Sequence, residues 1–134
     1  MPSIFQSKLW QIAVPPPWKA QACDECVEFT QHESAGALHI SGALKTVGPI
    51  SDREALEKLM ECCRKGVETE RVVCGDFEGF AAAFADDTDG HYWKKWILYC
   101  GQVLLFITYN CRRGEKAFEV SQAATLLSSL QCRA

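Results

Sequence analysis

The sequence predicts an α+β fold: an antiparallel β-sheet of about six to seven strands packed with two helices, in the order β-β-β-α-β-β-β-β-α. Three observations predict it. Most of the chain between residues 9 and 111 falls into short runs that alternate apolar and polar residues, the pattern of half-buried strands. Two segments, near residues 51–66 and 115–130, repeat instead at helical spacing. The connections between all of these are short, and short connections favour antiparallel pairing.

The first strand runs from Leu9 to Val14, with Trp10, Ile12 and Val14 on one face and Gln11 and Ala13 on the other. Pro15-Pro16-Pro17 ends it, because proline cannot donate to a ladder. Cys26 to Thr30 forms the second strand, with Val27 and Phe29 on one side. Gly36 to Leu44 forms the third, placing Leu38 and Ile40 opposite His39 and Ser41. Gly48-Pro49 breaks that pattern, and Ser51-Asp52-Arg53-Glu54 reads as a capping box opening a helix. Leu56, Leu59, Met60 and Cys63 make its apolar stripe, Glu54–Lys58 and Glu61–Lys65 its charge pairs, and Gly66 its stop.

Four strands follow: Glu70 to Cys74, Phe77 to Ala85, Tyr92 to Cys100 and Val103 to Cys111. Phe80, Ala82 and Phe84 share a face of the second of these. The turn at residues 86–90 ends in Asp-Gly, which suits a tight hairpin, and Gly101-Gln102 makes another. Val103 to Ile107 is apolar on both faces, which places that strand in the middle of the sheet. The closing helix spans Glu115 to Leu130, with a stripe of Ala117, Val120, Ala123, Ala124, Leu127 and Leu130.

With 134 residues, 48% of them apolar and 23% charged, the chain has the size and composition of one globular domain, residues 1–134. The net charge of −3 argues against nucleic acid as a partner, because such binders concentrate basic charge on one face. Lys94-Lys95 and Arg112-Arg113 read as isolated, solvated pairs. The longest apolar stretch, Trp96 to Tyr109, is shorter than the ~20 residues of a membrane helix and is split by a turn. No secretory leader is visible, so the expected location is cytoplasmic.

Eight cysteines stand out: Cys23, Cys26, Cys62, Cys63, Cys74, Cys100, Cys111 and Cys132. In a cytoplasmic chain most of them read as small buried hydrophobes rather than a disulfide framework. Cys23-Asp24-Glu25-Cys26 is a CxxC, but it leads into a strand rather than a helix, and its two acidic residues oppose a thiolate. Zinc would need a second ligand pair, and the adjacent Cys62 and Cys63 do not readily face one metal. Cys23 and Cys26 are therefore only weak metal or redox candidates, and no cofactor is expected.

The three histidines, His32, His39 and His91, form no ligand or catalytic spacing. Asp86, Asp87 and Asp89 miss the register of a calcium loop, since Ala85 and Trp96 stand where acids are needed. Gly75-Asp76-Phe77-Glu78-Gly79 lacks the lysine of a phosphate loop. No residue is singled out as catalytic, and the expectation is a protein without enzymatic activity. Trp10 is in phase with Ile12 and Val14 and reads as core. Trp93 and Trp96 fall on opposite faces of one strand, so one of them can sit on an incompletely covered sheet face, where aromatics anchor partners. Trp93, Lys95 and His39 are the candidate partner-binding residues.

The opening Trp10-Gln11-Ile12-Ala13-Val14-Pro15-Pro16-Pro17-Trp18, the later Gly36-Ala37-Leu38-His39-Ile40-Ser41, and the strand–glycine–strand run from Trp96 to Tyr109 before a closing helix resemble small bacterial domains of the PsbP-like fold. The resemblance spans almost the whole chain and implies an antiparallel sheet packed between helices. Members include a Ran-binding import factor, a photosystem II oxygen-evolving subunit and chaperones of type VI secretion effectors. It implies a binding role toward another protein, such as a secretion effector or toxin, in an adaptor, chaperone or immunity protein. The matching residues are core and turn positions, so no functional residue carries over. The cysteine richness departs from the family and keeps a metal or redox role open, as a homodimer or a small enzyme also remains open.

Overall fold

The structure, a computed structural model, describes residues 3–31, 36–63, 65–86, 90–112 and 116–133, with the backbone alone at 86 and 116–119. The elements in chain order are β1 (Ser3–Gln6), β2 (Trp10–Val14), β3 (Lys19–Ala22), β4 (Val27–Thr30), β5 (Gly36–Leu44), α1 (Asp52–Glu61), β6 (Thr69–Cys74), β7 (Phe77–Asp86), β8 (His91–Cys100), β9 (Val103–Arg112), α2 (Lys116–Leu127) and β10 (Gln131–Cys132). The expected α+β class and the order of its main elements are both present. The main sheet has seven antiparallel strands in the order β3-β4-β5-β9-β8-β7-β6, with β9 at its centre. A second sheet, β1-β2-β10, is also antiparallel.

The short strands β1, β3 and β10 are additions to the expected order. None carries a strong alternation. β3, Lys-Ala-Gln-Ala, is an edge strand that takes its conformation from pairing with β4. β10 is only two residues long and is set by its register with β2. The closing helix accordingly stops at Leu127, three residues before the expected end.

Each face of the main sheet buries a separate core. On the inner face Phe29, Leu38, Ile40, Leu98, Leu105, Ile107 and Tyr109 pack with Trp10, Ile12 and Val14 of β2 and with Ala123, Leu126, Leu127 and Leu130. Phe5, Trp10 and Phe29 bridge the two sheets with ring centroids 5.7–6.3 Å apart. Such aromatic pairs contribute about 0.5–1.5 kcal/mol each beyond the area they bury. On the outer face α1 lays Ala55 and Leu59 over Ala82 and Ile97.

The stripe of α1 departs in part from its expected position. Ala55 and Leu59 are buried, with Cys62 and Cys63 packed against them, while Met60 is 55% exposed. Ala55 has only a methyl group to hold the helix off the sheet, so the close approach centres on it. In α2 the expected stripe largely holds: Ala123, Leu127 and, past the helix end, Leu130 are buried and Val120 packs against them, Leu126 joins them, and Ala124 is exposed; Ala117 lies outside the described side chains. The Ser51 cap is present, its hydroxyl accepting from the Glu54 amide at 3.2 Å. Glu54 itself pairs with Lys45 at 2.6 Å rather than with Lys58. Lys45, and more weakly Ser51, holds the Glu54 carboxyl below its usual range. Arg53–Glu57 supplies the i,i+4 pair, at 3.1 Å.

Two further expectations are corrected. Only Cys74 and Cys111 are buried; Cys23 is exposed and the other five are half-buried. Lys94–Lys95 is not a solvated pair. Lys94 points to the inner face, its side chain 16% exposed, 5.2 Å from the Trp96 ring and 3.6 Å from Glu70. His32 and residues 87–89 lie outside the described residues.

Candidate functional site

Helix α1 runs along β8 and covers only part of the outer face. Its start is fastened by Tyr99, whose hydroxyl donates to Asp52. Its end is fastened by Lys95, whose ammonium donates to the Cys62 carbonyl at 2.7 Å. That cation meets the negative end of the helix dipole, which favours it there. The helix contacts β7 and β8 and its cluster reaches Leu104 and Phe106 of β9, leaving the outer face of β4, the first rows of β8 and the last rows of β9 beyond it.

The three residues singled out from sequence all lie on this face. Strand register places Gln21, Glu28, His39, Thr108, Lys95 and Ala82 in one row across β3, β4, β5, β9, β8 and β7. The next row, past the end of α1, is Ala37, Asn110, Trp93 and Phe84. Trp96, by contrast, is 2% exposed in the inner core, so the two tryptophans occupy opposite faces as expected.

Their chemistry differs. Trp93 and Phe84 are half-buried aromatics facing each other across strands, with the Lys95 ammonium 5.6 Å from each ring. A cation over aromatic faces, already bonded to a carbonyl, holds those rings in place more than it offers a charge to solvent. His39 Nε2 lies 3.1 Å from a Glu28 carboxylate oxygen. Thr108 and Asn110 supply hydroxyl and amide groups between the histidine and the tryptophan. The result is a small aromatic centre beside a row of hydrogen-bonding side chains on rigid strands.

Cys23 and Cys26 stand well away from this face, at the tip of the β3–β4 hairpin. The Cys23 amide donates to the Cys26 carbonyl at 2.8 Å, which turns the two thiols toward each other. Burial, the neighbouring Cys23 thiol, and Glu28 and Glu25 push the Cys26 thiol up. The pair borders a cleft of about 410 Å³ that also contacts Phe5, Lys8, Trp10 and Gly42. Among the described residues no group of three or more His, Cys, Asp or Glu side chains is placed to hold a metal.

Two clusters had no signal in the sequence. The first is Tyr99, Asp52, Arg71 and Glu78, which joins α1 to β6, β7 and β8. Arg71 bonds Glu78 and lies 3.5 Å from Asp52. The Tyr99 hydrogen bond, with Arg71 behind it, holds the Asp52 carboxyl below its usual range. The same bond pushes Tyr99 up to about 12. The second is Cys100 and Cys132, whose thiols act on one another electrostatically and share Asp76 as a neighbour. Only strand register brings either group together.

No protein-family model and no curated protein matches the chain. Among solved structures, it is similar to a crystal structure from Bacteroides thetaiotaomicron VPI-5482 at a TM-score of 0.70 and 14% identity. That similarity covers 98% of this chain and 48% of the other, so the chain spans about half the length of that protein. It is also similar to the solution structure of cyanobacterial PsbP (CyanoP) from Synechocystis sp. PCC 6803, with a TM-score of 0.44, 13% identity and coverage of 98% and 92%. At these identities the first comparison shows a shared fold. None of the described helices is long and apolar enough to cross a membrane.

Proposed function

We propose that this chain is a non-enzymatic accessory factor that binds another protein on the part of its outer sheet face that α1 leaves uncovered. The observation that carries the reading is that Trp93 and Lys95 of β8 and the sequence-distant His39 of β5 occupy adjacent rows of that one face. Half-buried aromatics flanked by hydrogen-bonding groups on rigid strands are what protein interfaces use as anchors. The partner that suits it presents an apolar side chain to Trp93 and Phe84, and backbone or amide groups to the His39–Thr108 row. A cytoplasmic secretion effector or toxin, with this chain as adaptor, chaperone or immunity protein, is the class suggested by the resemblance to PsbP-like domains.

The test is affinity purification from the native cell with mass spectrometry, repeated with Trp93→Ala. The expected result is a stoichiometric partner whose affinity falls by roughly 30-fold or more, the loss of about 2 kcal/mol typical of an aromatic anchor. An empty capture by the native sequence, or a partner held equally well by Trp93→Ala and His39→Ala, would overturn the reading.

A second reading, a metal- or redox-linked role for Cys23 and Cys26, is favoured by their facing thiols beside an open cleft. Metal analysis and thiol titration of protein purified under reducing conditions test it. Protein without bound metal and with ordinary thiol reactivity would remove it.

A further inference from the structure

Cys100 ends β8 in the main sheet, and Cys132 lies in β10 of the small one. Their thiols act on one another electrostatically although 31 residues separate them in the chain, and Asp76, whose carboxylate accepts from the Cys132 amide, acts on Cys100 as well. The backbone on both sides holds this approach. Cys132 pairs with Trp10 of β2, and its amide donates to an Asp76 carboxylate oxygen at 3.0 Å. The Asp76 amide donates back to the Leu130 carbonyl at 2.9 Å, and the Arg133 amide donates to the Leu9 carbonyl at 3.0 Å. Cys100 is set by its pairing with Val103 across the two-residue turn. Both side chains are half-buried against the rim of the inner core, within reach of a small solute.

The other two thiol contacts differ in what a bond between them would do. Cys23 and Cys26 belong to one hairpin, and Cys62 and Cys63 are neighbours in the chain. Of these three pairs, Cys100 and Cys132 are the one that joins the two sheets. The segment between them holds β9, the central strand, and α2. β10 itself has just two register pairs.

We propose that Cys100 and Cys132 form a redox-responsive pair, which a low-molecular-weight disulfide such as oxidised glutathione converts into a disulfide stapling the small sheet to the main one. The thiolate of Cys132 attacks one sulfur of the glutathione disulfide; that S–S bond breaks and one glutathione thiolate leaves. The thiolate of Cys100 then attacks the Cys132 sulfur of the mixed disulfide and expels the second glutathione. The protein loses two electrons, the reagent gains them, and the two thiol protons end on two glutathione molecules. Burial first, then the Cys132 thiol, Asp76 and Glu78, push Cys100 up to about 11. In the mixed disulfide the Cys132 thiol no longer acts, but burial, Asp76 and Glu78 still push Cys100 up, so the closing step quickens as pH rises.

The experiment uses the full chain, reduced, desalted and equilibrated in mixtures of oxidised and reduced glutathione. Non-reducing peptide mapping by mass spectrometry reads the bridge, thiol counting reads its stoichiometry, and thermal unfolding reads its effect. The expected result is a peptide joining Cys100 to Cys132 and a melting temperature raised by roughly 5–15 °C. Cys23→Ser with Cys26→Ser keeps both effects, and Cys132→Ser removes both. Bridges found only at other cysteines, glutathione left as mixed disulfides without closure, or a bridge that lowers the melting temperature would each overturn the proposal. The protein needs no variant for the first reading, and the result is independent of any binding partner.

Discussion

Gly75 shows how much one residue can carry. It holds φ +62° in the turn between β6 and β7, and a Cβ there would stand 2.0 Å from the Leu130 carbonyl oxygen. Gly101 has a similar φ, +60°, with open space where its Cβ would be. Gly101→Ala therefore costs only the left-handed strain, about 1–2 kcal/mol. Gly75→Ala adds a backbone clash and displaces the Asp76 contacts that seat β10, so its expected loss is larger by about 1 kcal/mol or more. Urea unfolding of the two variants side by side checks this, and equal losses would contradict the close approach. Tyr99 sets a second test at the same scale. Its folded pKa, about 12, lies above the unfolded value near 10, so the stability it contributes is complete below pH 10 and is lost as pH climbs toward 12. Asp52 acts in the opposite direction: its folded pKa is depressed, so its contribution holds above its unfolded pKa and fades as pH falls through the folded one. Tyr99→Phe should remove the high-pH phenolate from an absorbance titration and move acid unfolding to higher pH. Loss of a phenolate that titrates near 10 rather than near 12 would show that the Tyr99–Asp52 bond does not form.

The two helices show why elements were easier to find than to orient. Ser51 and the spacing after it announce α1, and its cap forms as the residues require. Its buried stripe follows Ala55, Leu59 and Cys62, because a helix lying on a sheet settles on its smallest side chain. Ala55, with one methyl group, gives a weak hydropathy signal, while Met60 gives a stronger one and is 55% exposed. Leu59→Ala should cost about 2–5 kcal/mol and Met60→Ala less than about 0.5 kcal/mol, measured by chemical denaturation. In α2 the same measurement applies to Leu127, which is fully buried: Leu127→Ala should also cost about 2–5 kcal/mol. A loss below about 0.5 kcal/mol at Leu127 would mean that this face does not pack on the sheet.

At the scale of the whole molecule, the two-sided burial of the main sheet organises everything else. The inner face is closed by β1, β2, β10 and α2, and the outer face is covered by one ten-residue helix. One short helix cannot span seven strands about 4.8 Å apart, so an open area on the outer face follows from the element count. Trp93 marks this area, and the affinity loss on Trp93→Ala is the prediction that belongs to this scale. The chain alone determined the α+β class, the main strands, the central place of β9 and the opposite facing of Trp93 and Trp96. These depend on local periodicity, and period two or 3.6 is written in neighbouring residues. Tertiary structure alone decided that β1, β3 and β10 pair as strands, that Lys95 is taken up by the end of α1, that His39 shares a row with it, and that Cys100 meets Cys132. Each of these is a meeting of residues distant in the chain, brought about by strand register and helix docking, and no pattern within a single segment records it.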